Sequence, residues 1–194
     1  MAPPRKHASD VILDAARTLV LSEGPRAASV AAISAASGAP AGTLYHRFGN
    51  RNGILAAAWL RSLERFHSRA LAAVDVEDPV EAGATMAKAV VLFAREVPED
   101  AQLLNFRPAH LLDGEPEESF TTQRAHMNEP VFAQMFRVTE GLFGDREAQH
   151  VDIVLRAIID LPYSAVRRYG MYVPDWLVDA VAEDARILLR APRG

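Results

Sequence analysis

The sequence predicts an all-α protein in two parts: an amino-terminal three-helix domain containing a helix-turn-helix, and a longer carboxy-terminal helical domain. Three observations support this prediction. Apolar residues recur at helical spacing along the 194 residues, and no segment alternates as a strand does. Two short helical segments meet at a glycine near residue 38. Charge is uneven: nine Lys and Arg against four Asp and Glu in residues 1–70, but twelve against twenty-one in residues 71–194.

The chain is expected to begin with a basic arm, residues 1–8, in which Arg5, Lys6 and His7 are available to phosphates or a minor groove. Ser9 is predicted to cap the first helix, because its hydroxyl can accept from free N–H groups. The buried stripe of this helix consists of Val11, Ile12, Ala15, Ala16, Leu19 and Val20.

The next stretch predicts two short helices. Ser29 caps the first, and Gly38 ends it because glycine tolerates the left-handed conformation of a helix stop. Pro40 suits the first turn of the second helix, which directs Leu44 and Phe48 inward. Two such helices form a helix-turn-helix, whose second helix can enter a DNA major groove. By spacing alone, an ordinary helical hairpin fits equally well.

The residues at these positions resemble a known family. Ser29-x-x-x-Ile33, then Gly38-x-x-x-Gly42-Thr-Leu-Tyr-His-x-Phe48 and Arg51-x-x-Ile-Leu55, resemble the DNA-binding signature of the TetR family of bacterial transcriptional regulators. The resemblance covers roughly residues 9–63. The chain departs from the family pattern at Ser34, Ser37, Ala39-Pro40, Ala41 and Arg51.

The resemblance implies a double-stranded DNA operator of near-palindromic sequence as the partner. We expect Tyr45, His46 and Arg51 to contact mainly phosphates, and Thr43 and Arg47 to approach base edges. The full set of expected DNA-contacting residues is Ser29, Pro40, Ala41, Gly42, Thr43, Tyr45, His46, Arg47 and Arg51.

Asn50 is predicted to cap a long helix over residues 51–74. We place the domain boundary near its start, with a DNA-binding domain at 1–52 and an all-helical ligand-binding and dimerisation domain at 53–194. The further helices are predicted at 79–96, 99–112, 116–143, 146–172 and 175–191. Pro130 and Pro162 fall inside two of them and are expected to bend or break each one.

The last two predicted helices are apolar over more than one face. An ordinary surface helix needs a stripe only somewhat over 100° wide. Two deeply buried core helices are the alternative, but burying both completely is difficult in a chain of this size. We therefore expect a homodimer with a four-helix interface, in which Ile158 and Val181 are test positions.

Methionine and aromatic residues are frequent in the middle helices, where they fit either plain core or the lining of an adaptable apolar cavity. The family resemblance implies a site for a small effector there, with His110, Gln123 and His126 as polar groups. We expect a cavity of roughly a few hundred Å³ between Trp59, Phe93, Phe106 and Met127. A strongly anionic ligand is disfavoured because cations are few. The expected ligand residues are Trp59, Leu63, Phe66, Met86, Val90, Phe93, Phe106, His110, Gln123, His126 and Met127.

Several function classes lack sequence support. The chain has no cysteine, so disulfides and thiolate zinc sites are excluded. It has no glycine-rich phosphate loop, no Gly-x-Ser-x-Gly elbow and no helical His pair with a Glu in register, so we expect neither an enzyme, nor a cofactor, nor a bound metal. It has no apolar run of about 18 residues and no signal-peptide core, so we expect a cytoplasmic protein without a membrane partner.

These observations lead to one functional interpretation and two alternatives. The chain is interpreted as a ligand-responsive transcriptional regulator, a repressor that a small apolar effector releases from its operator. The first alternative is a helix-turn-helix DNA-binding protein without a small-molecule effector. The second is a helical enzyme or carrier without a DNA role.

Overall fold

A computed structural model describes residues 5–71 and 75–190, with side chains from residue 9 onward. The described residues are helical and contain no strand, as predicted. The α-helices are α1 (Arg5–Glu23), α2 (Val30–Ser37), α3 (Ala41–Phe48), α4 (Arg51–Ala70), α5 (Pro79–Glu96), α6 (Pro98–Leu104), α7 (Pro108–Leu111), α8 (Glu118–Phe143), α9 (Ala148–Leu155), α10 (Leu161–Tyr169) and α11 (Trp176–Arg190).

The chain divides into two compact units. The first unit combines Met1–Leu63 with Glu99–Arg124, and the second combines Glu64–Pro98 with Ala125–Gly194. The predicted boundary near residue 52 separates a DNA-binding domain from a ligand-binding and dimerisation domain, and it stays a prediction. Within the described residues, no helix is long and apolar enough to cross a bilayer.

Helix α1 begins earlier than expected. It begins at Arg5, so the prediction that Ser9 caps it is wrong. The sequence between Arg5 and Ser9 contains no glycine or proline, and nothing there interrupts helical backbone. The Ser9 hydroxyl instead accepts a hydrogen bond from Arg47. The side chains of Arg5, Lys6 and His7 lie outside the described residues.

The helix-turn-helix follows the predicted local signals. The Ser29 side chain accepts from the Ala32 N–H at 3.1 Å and caps α2. Gly38 ends that helix in the left-handed region with φ of 70°, where a Cβ would be strained. Pro40 lies one position earlier than expected, as the residue before α3. The Asn50 side chain accepts from the Gly53 N–H at 2.9 Å at the start of α4, as predicted.

The segment 99–124 of the first unit differs from the single helix predicted over 99–112. The chain leaves helical geometry after Leu104, and α7 begins at Pro108. A proline disfavours helical backbone in the residue before it, and Arg107 is accordingly extended with ψ of 138°. The prediction of one continuous helix is therefore wrong.

In the second unit, α5 packs against α10 and α11. Glu81 pairs with Arg186 and Lys88 with Asp179 between α5 and α11, and Arg95 pairs with Asp175 just before α11. The buried core between these helices and their neighbours contains Ala82, Met86, Met135, Val138, Val154, Ala157, Ile158 and Leu189.

The two internal prolines behave differently. A π-helical segment, Arg156–Asp160, lies just before Pro162 and changes the hydrogen-bond pattern between α9 and α10, but the backbone stays helical, so no break occurs there. Pro130 lies inside a continuous α8 of 26 residues, so no break occurs there. A single missing N–H removes one backbone hydrogen bond, which flanking turns on both sides can tolerate.

Candidate nucleic-acid interface

The outer face of α3 carries polar and aromatic side chains over a buried core. Leu44 is fully buried and anchors α3, while Tyr45 is 54% exposed. His46, Ala41 and Gly42 are also exposed, and Thr43 is half-buried. The sequence places these residues on one short helix, and the structure leaves them open to a partner.

Two serines fix the turn that leads into α3. The Ser34 hydroxyl donates to the Ala39 carbonyl at 2.7 Å, and the Ser37 Oγ accepts from the Ala39 N–H at 3.3 Å. The two serine hydroxyls therefore hold the turn with hydrogen bonds to the backbone of one residue.

The two arginines of the predicted DNA surface are held by the protein itself. Arg47 Nη1 donates to the Ser9 hydroxyl at 3.1 Å. Arg51 Nε donates to the Ala28 carbonyl at 3.1 Å, and Nη2 donates to the Pro25 carbonyl. The guanidinium of Arg51 therefore ties the start of α4 to the segment before α2. Its expected phosphate contact stays a prediction.

The same arginine also meets an acidic loop. Arg51 Nη1 lies 2.8 Å from Asp113 Oδ2. The Asn52 side-chain amide donates to the Asp113 carbonyl at 2.8 Å, and its oxygen accepts from the Asp113 N–H at 2.9 Å. Sequence reasoning missed this contact because the partners are about 60 residues apart in the chain.

The junction between α3 and α4 has room for glycine alone. A Cβ added at Gly53 would lie 1.9 Å from the Phe48 carbonyl oxygen. Backbone atoms cannot yield as the tip of a flexible side chain can. Gly53 therefore permits the close approach that sets the end of α3 against the start of α4.

A buried ionic network ties α1 to α4 and α6 within the first unit. Arg17 donates to Asp100, which is fully buried, and to the half-exposed Glu99. The Ser62 hydroxyl on α4 donates to the same Asp100 carboxylate at 3.0 Å. A buried charge is stable only when it is paired in this way. The network attaches α1 and α4 to α6.

A second arginine strengthens the attachment between α1 and α4. Arg61 Nη1 donates to the Asp10 carboxylate at 3.1 Å, and Nη2 donates to Asp14 Oδ1 at 2.6 Å. The acidic residues in the first half of α1 are therefore occupied by arginines from the same unit. They do not form a free acidic surface.

The predicted ligand residues are split between the two units. In the first unit, Trp59 Nε1 donates to the Phe106 carbonyl at 3.2 Å, and the Trp59 ring meets the edge of Phe120 with centroids 5.7 Å apart. Leu63 is 7% exposed. His110 and Gln123 are exposed, which does not suit polar groups that orient a ligand inside an enclosed cavity.

In the second unit, Phe93 is 2% exposed, and its ring centroid lies 5.4 Å from that of Phe66. Met86 belongs to the buried core of this unit, while Val90 and Met127 are half-buried. The His126 side chain is 81% exposed and lies 3.2 Å from Glu129 on the same helix. The predicted ligand set is therefore a mixture of core and surface residues.

His67 is a buried titratable residue that sequence reasoning missed. It is 7% exposed, and burial lowers its pKa below 6.5, while a hydrogen bond with Asn128 raises it in part. An isolated histidine on an amphipathic helix gives no signal that distinguishes a buried ring from a surface one.

The second unit also contains an open cleft of about 620 Å³. None of the predicted ligand residues lines it. Three carboxylates and one guanidinium border the cleft, a balance that disfavours an anionic ligand. The lining residues are Asp75, Val76, Glu77, Pro79, Ala82, Gln134, Arg137, Val138, Glu140 and Gly141.

Solved structures with the same fold come from several bacteria. The TetR family transcriptional regulator PfmR from Thermus thermophilus has a TM-score of 0.70 at 24% identity over 100% of both chains. A tetR family transcription regulator from a Shewanella species has a TM-score of 0.73 at 20% identity, over 94% of this chain and 95% of that one. FadR from Bacillus subtilis, solved in complex with stearoyl-CoA, has a TM-score of 0.70 at 15% identity, over 95% and 99%.

Comparison with curated protein sequences gives no match. Residues 12–58 match the family model described as bacterial regulatory proteins, tetR family. The matched segment runs from α1 into α4 and includes the capped helix-turn-helix described above. Through this amino-terminal segment, the chain is similar to the tetR family of bacterial regulatory proteins.

Proposed function

We propose that this chain is a ligand-responsive repressor that binds a near-palindromic operator and leaves it when a small, largely apolar effector binds. The observation that carries the DNA part is the α3 face, where Tyr45 and His46 are exposed above the buried Leu44. A helix presented in this way fits a major groove, and a two-fold dimer reads two half-sites about 34–36 Å apart.

The roles within the interface follow from position and chemistry. Tyr45, His46 and Arg51 are proposed to contact phosphates, and Thr43 and Arg47 to approach base edges. Arg47 must exchange its Ser9 contact for a base, whereas Arg51 can keep its carbonyl partners and share one guanidinium edge. The small residues Ala41 and Gly42 allow the start of α3 to approach DNA closely.

The test is DNA binding by the full chain at several salt concentrations, measured by fluorescence anisotropy. Arg51→Ala is expected to weaken binding to all duplexes alike and to flatten the salt dependence by about one unit, because one phosphate contact is lost. Arg95→Ala in the second unit removes an equal charge and serves as the matched control. Unchanged binding by Arg51→Ala, or a lost preference at only one base, contradicts the phosphate assignment.

The dimer is proposed to form through exposed apolar residues at the carboxy-terminal end. Ile158 and Val181 are each 1% exposed and belong to the core of the protomer, so they are not interface positions. Other large apolar side chains of the same region are exposed instead, and exposed apolar surface is typical of an interface. They are Ile159, Tyr163, Met171, Tyr172, Trp176, Ile187 and Leu188.

The effector is proposed to be mostly apolar, with one or two hydrogen-bonding groups. The shared fold with FadR, which was solved with stearoyl-CoA, supports a long apolar chain as one candidate. An uncharged ester of stearic acid is therefore the first probe, and stearoyl-CoA, whose coenzyme A part is strongly anionic, is the second. Effector binding is expected to lower the affinity for DNA by about 5- to 150-fold, the typical range for coupling between two sites. Full DNA binding without a response to any effector favours the alternative, a DNA-binding protein without an effector.

A further inference from the structure

We propose that Asp113 acts as an internal competitor of the DNA backbone, because its carboxylate occupies the position beside Arg51 where a phosphate would bind. The inference rests on the proposed DNA-binding function. It assigns a regulatory role to the loop between α7 and α8, which contains none of the expected DNA-contacting residues.

The hydrogen bonds of Arg51 direct one nitrogen toward the Asp113 carboxylate. Nε donates to the Ala28 carbonyl and Nη2 to the Pro25 carbonyl, while Nη1 is the nitrogen that faces an anion. That nitrogen lies 2.8 Å from Asp113 Oδ2 and 3.4 Å from the Asn52 side-chain oxygen. A phosphate oxygen that approaches the same nitrogen therefore meets a carboxylate already in place.

The two members of the Arg51–Asp113 pair differ in solvent exposure. The Asp113 side chain is 74% exposed, whereas that of Arg51 is 17% exposed. The carboxylate therefore lies on the solvent side of the guanidinium, the side from which DNA arrives. An exposed ion pair is weak, so a phosphate can displace it, but at a cost in affinity.

The loop that contains Asp113 is attached to α4 through its backbone. Asn52 holds the backbone N–H and carbonyl of Asp113, not its side chain. The loop therefore remains docked at the start of α4 when the carboxylate is neutralised. A change in the loop that moves Asp113 away from Arg51 frees the arginine, which links the position of this loop to DNA affinity.

The experiment compares Asp113→Asn with Glu115→Gln in the full chain. Both variants remove one negative charge from the same loop, but only the first removes the partner of Arg51. On a mixed-sequence duplex, we expect Asp113→Asn to bind about twofold to fivefold more tightly than the wild type, the range of one exposed ion pair. Glu115→Gln is expected to change affinity much less.

A double-mutant cycle with Arg51→Ala separates competition from a general charge effect. In that background, Asp113→Asn is expected to have no more effect than Glu115→Gln. Equal effects of the two single variants, or weaker binding by Asp113→Asn, overturn the inference while leaving the proposed function intact. A wild-type chain that binds no duplex overturns both.

Discussion

Removing the Asp100 carboxylate is the most informative test of how the first unit is held together. Asp100 is fully buried and accepts hydrogen bonds from Arg17 on α1 and Ser62 on α4. Asp100→Ala leaves Arg17 without its buried partner. Glu99→Ala removes the neighbouring carboxylate, which binds the same arginine but is 49% exposed. The two variants therefore differ mainly in the burial of the lost charge.

The magnitudes follow from what each variant leaves unpaired. Breaking a buried ion pair by removing one partner costs about 3–5 kcal/mol. Arg17 retains Glu99 and Asp14, and the Ser62 hydroxyl retains the Ala58 carbonyl at 3.1 Å. These remaining partners place Asp100→Ala at the lower end, about 3 kcal/mol. Glu99→Ala is expected to cost at most about 1 kcal/mol.

The assay is chemical denaturation followed by circular dichroism at neutral pH, with the slope against denaturant compared between the variants. The expected result is a loss of unfolding free energy about three times larger for Asp100→Ala than for Glu99→Ala. Equal losses in the two variants would refute the claim that burial of this charge decides its contribution.

Three further predictions concern the second unit. Ile187→Glu is expected to give a folded monomer in sedimentation experiments, whereas Val181→Glu places a charge in the core and is expected to unfold; a dimer that survives Ile187→Glu contradicts the proposed interface. Phe93→Ala is expected to cost roughly 3–5 kcal/mol with an unaltered effector response, because the ring is core; a small loss with an altered response would place Phe93 in an open pocket. Burial lowers the pKa of His67, so as the pH drops below about 6.5 the unfolded chain binds the proton before the folded chain does, and the free energy of unfolding falls. Denaturation of the wild type and of His67→Gln at about pH 7.5 and 5.5 should show a smaller fall for the variant. Equal falls in the two proteins contradict this origin.

The features that the sequence predicted well depend on neighbouring residues. Ser29 accepts from an N–H three residues later at the start of α2, and Asn50 does the same at the start of α4. Gly38 ends α2 because of its own backbone preference. In each case, the cause and its effect lie within one helical turn, so a short window of sequence contains the whole argument.

The features that sequence reasoning missed depend on residues far apart in the chain, or on which of two adjacent apolar residues is buried. Arg17 and Asp100 are 83 positions apart, and each alone is an ordinary charged residue on a helix. Ile158 is in the core while Ile159 is 36% exposed, and an apolar run containing both gives no means of distinguishing them. The π-helical segment that precedes Pro162 shifts the helical register at this point, so periodicity alone could not assign these faces.

The most direct test of the central claim is a selection of genomic DNA fragments by the purified full chain, followed by sequencing with and without an uncharged ester of stearic acid. The account predicts that the enriched fragments share a near-palindromic sequence, with half-sites one helical turn or a multiple of one turn apart. Enrichment no greater than that of an unrelated protein of similar charge, or enriched fragments that share no such sequence, would contradict it.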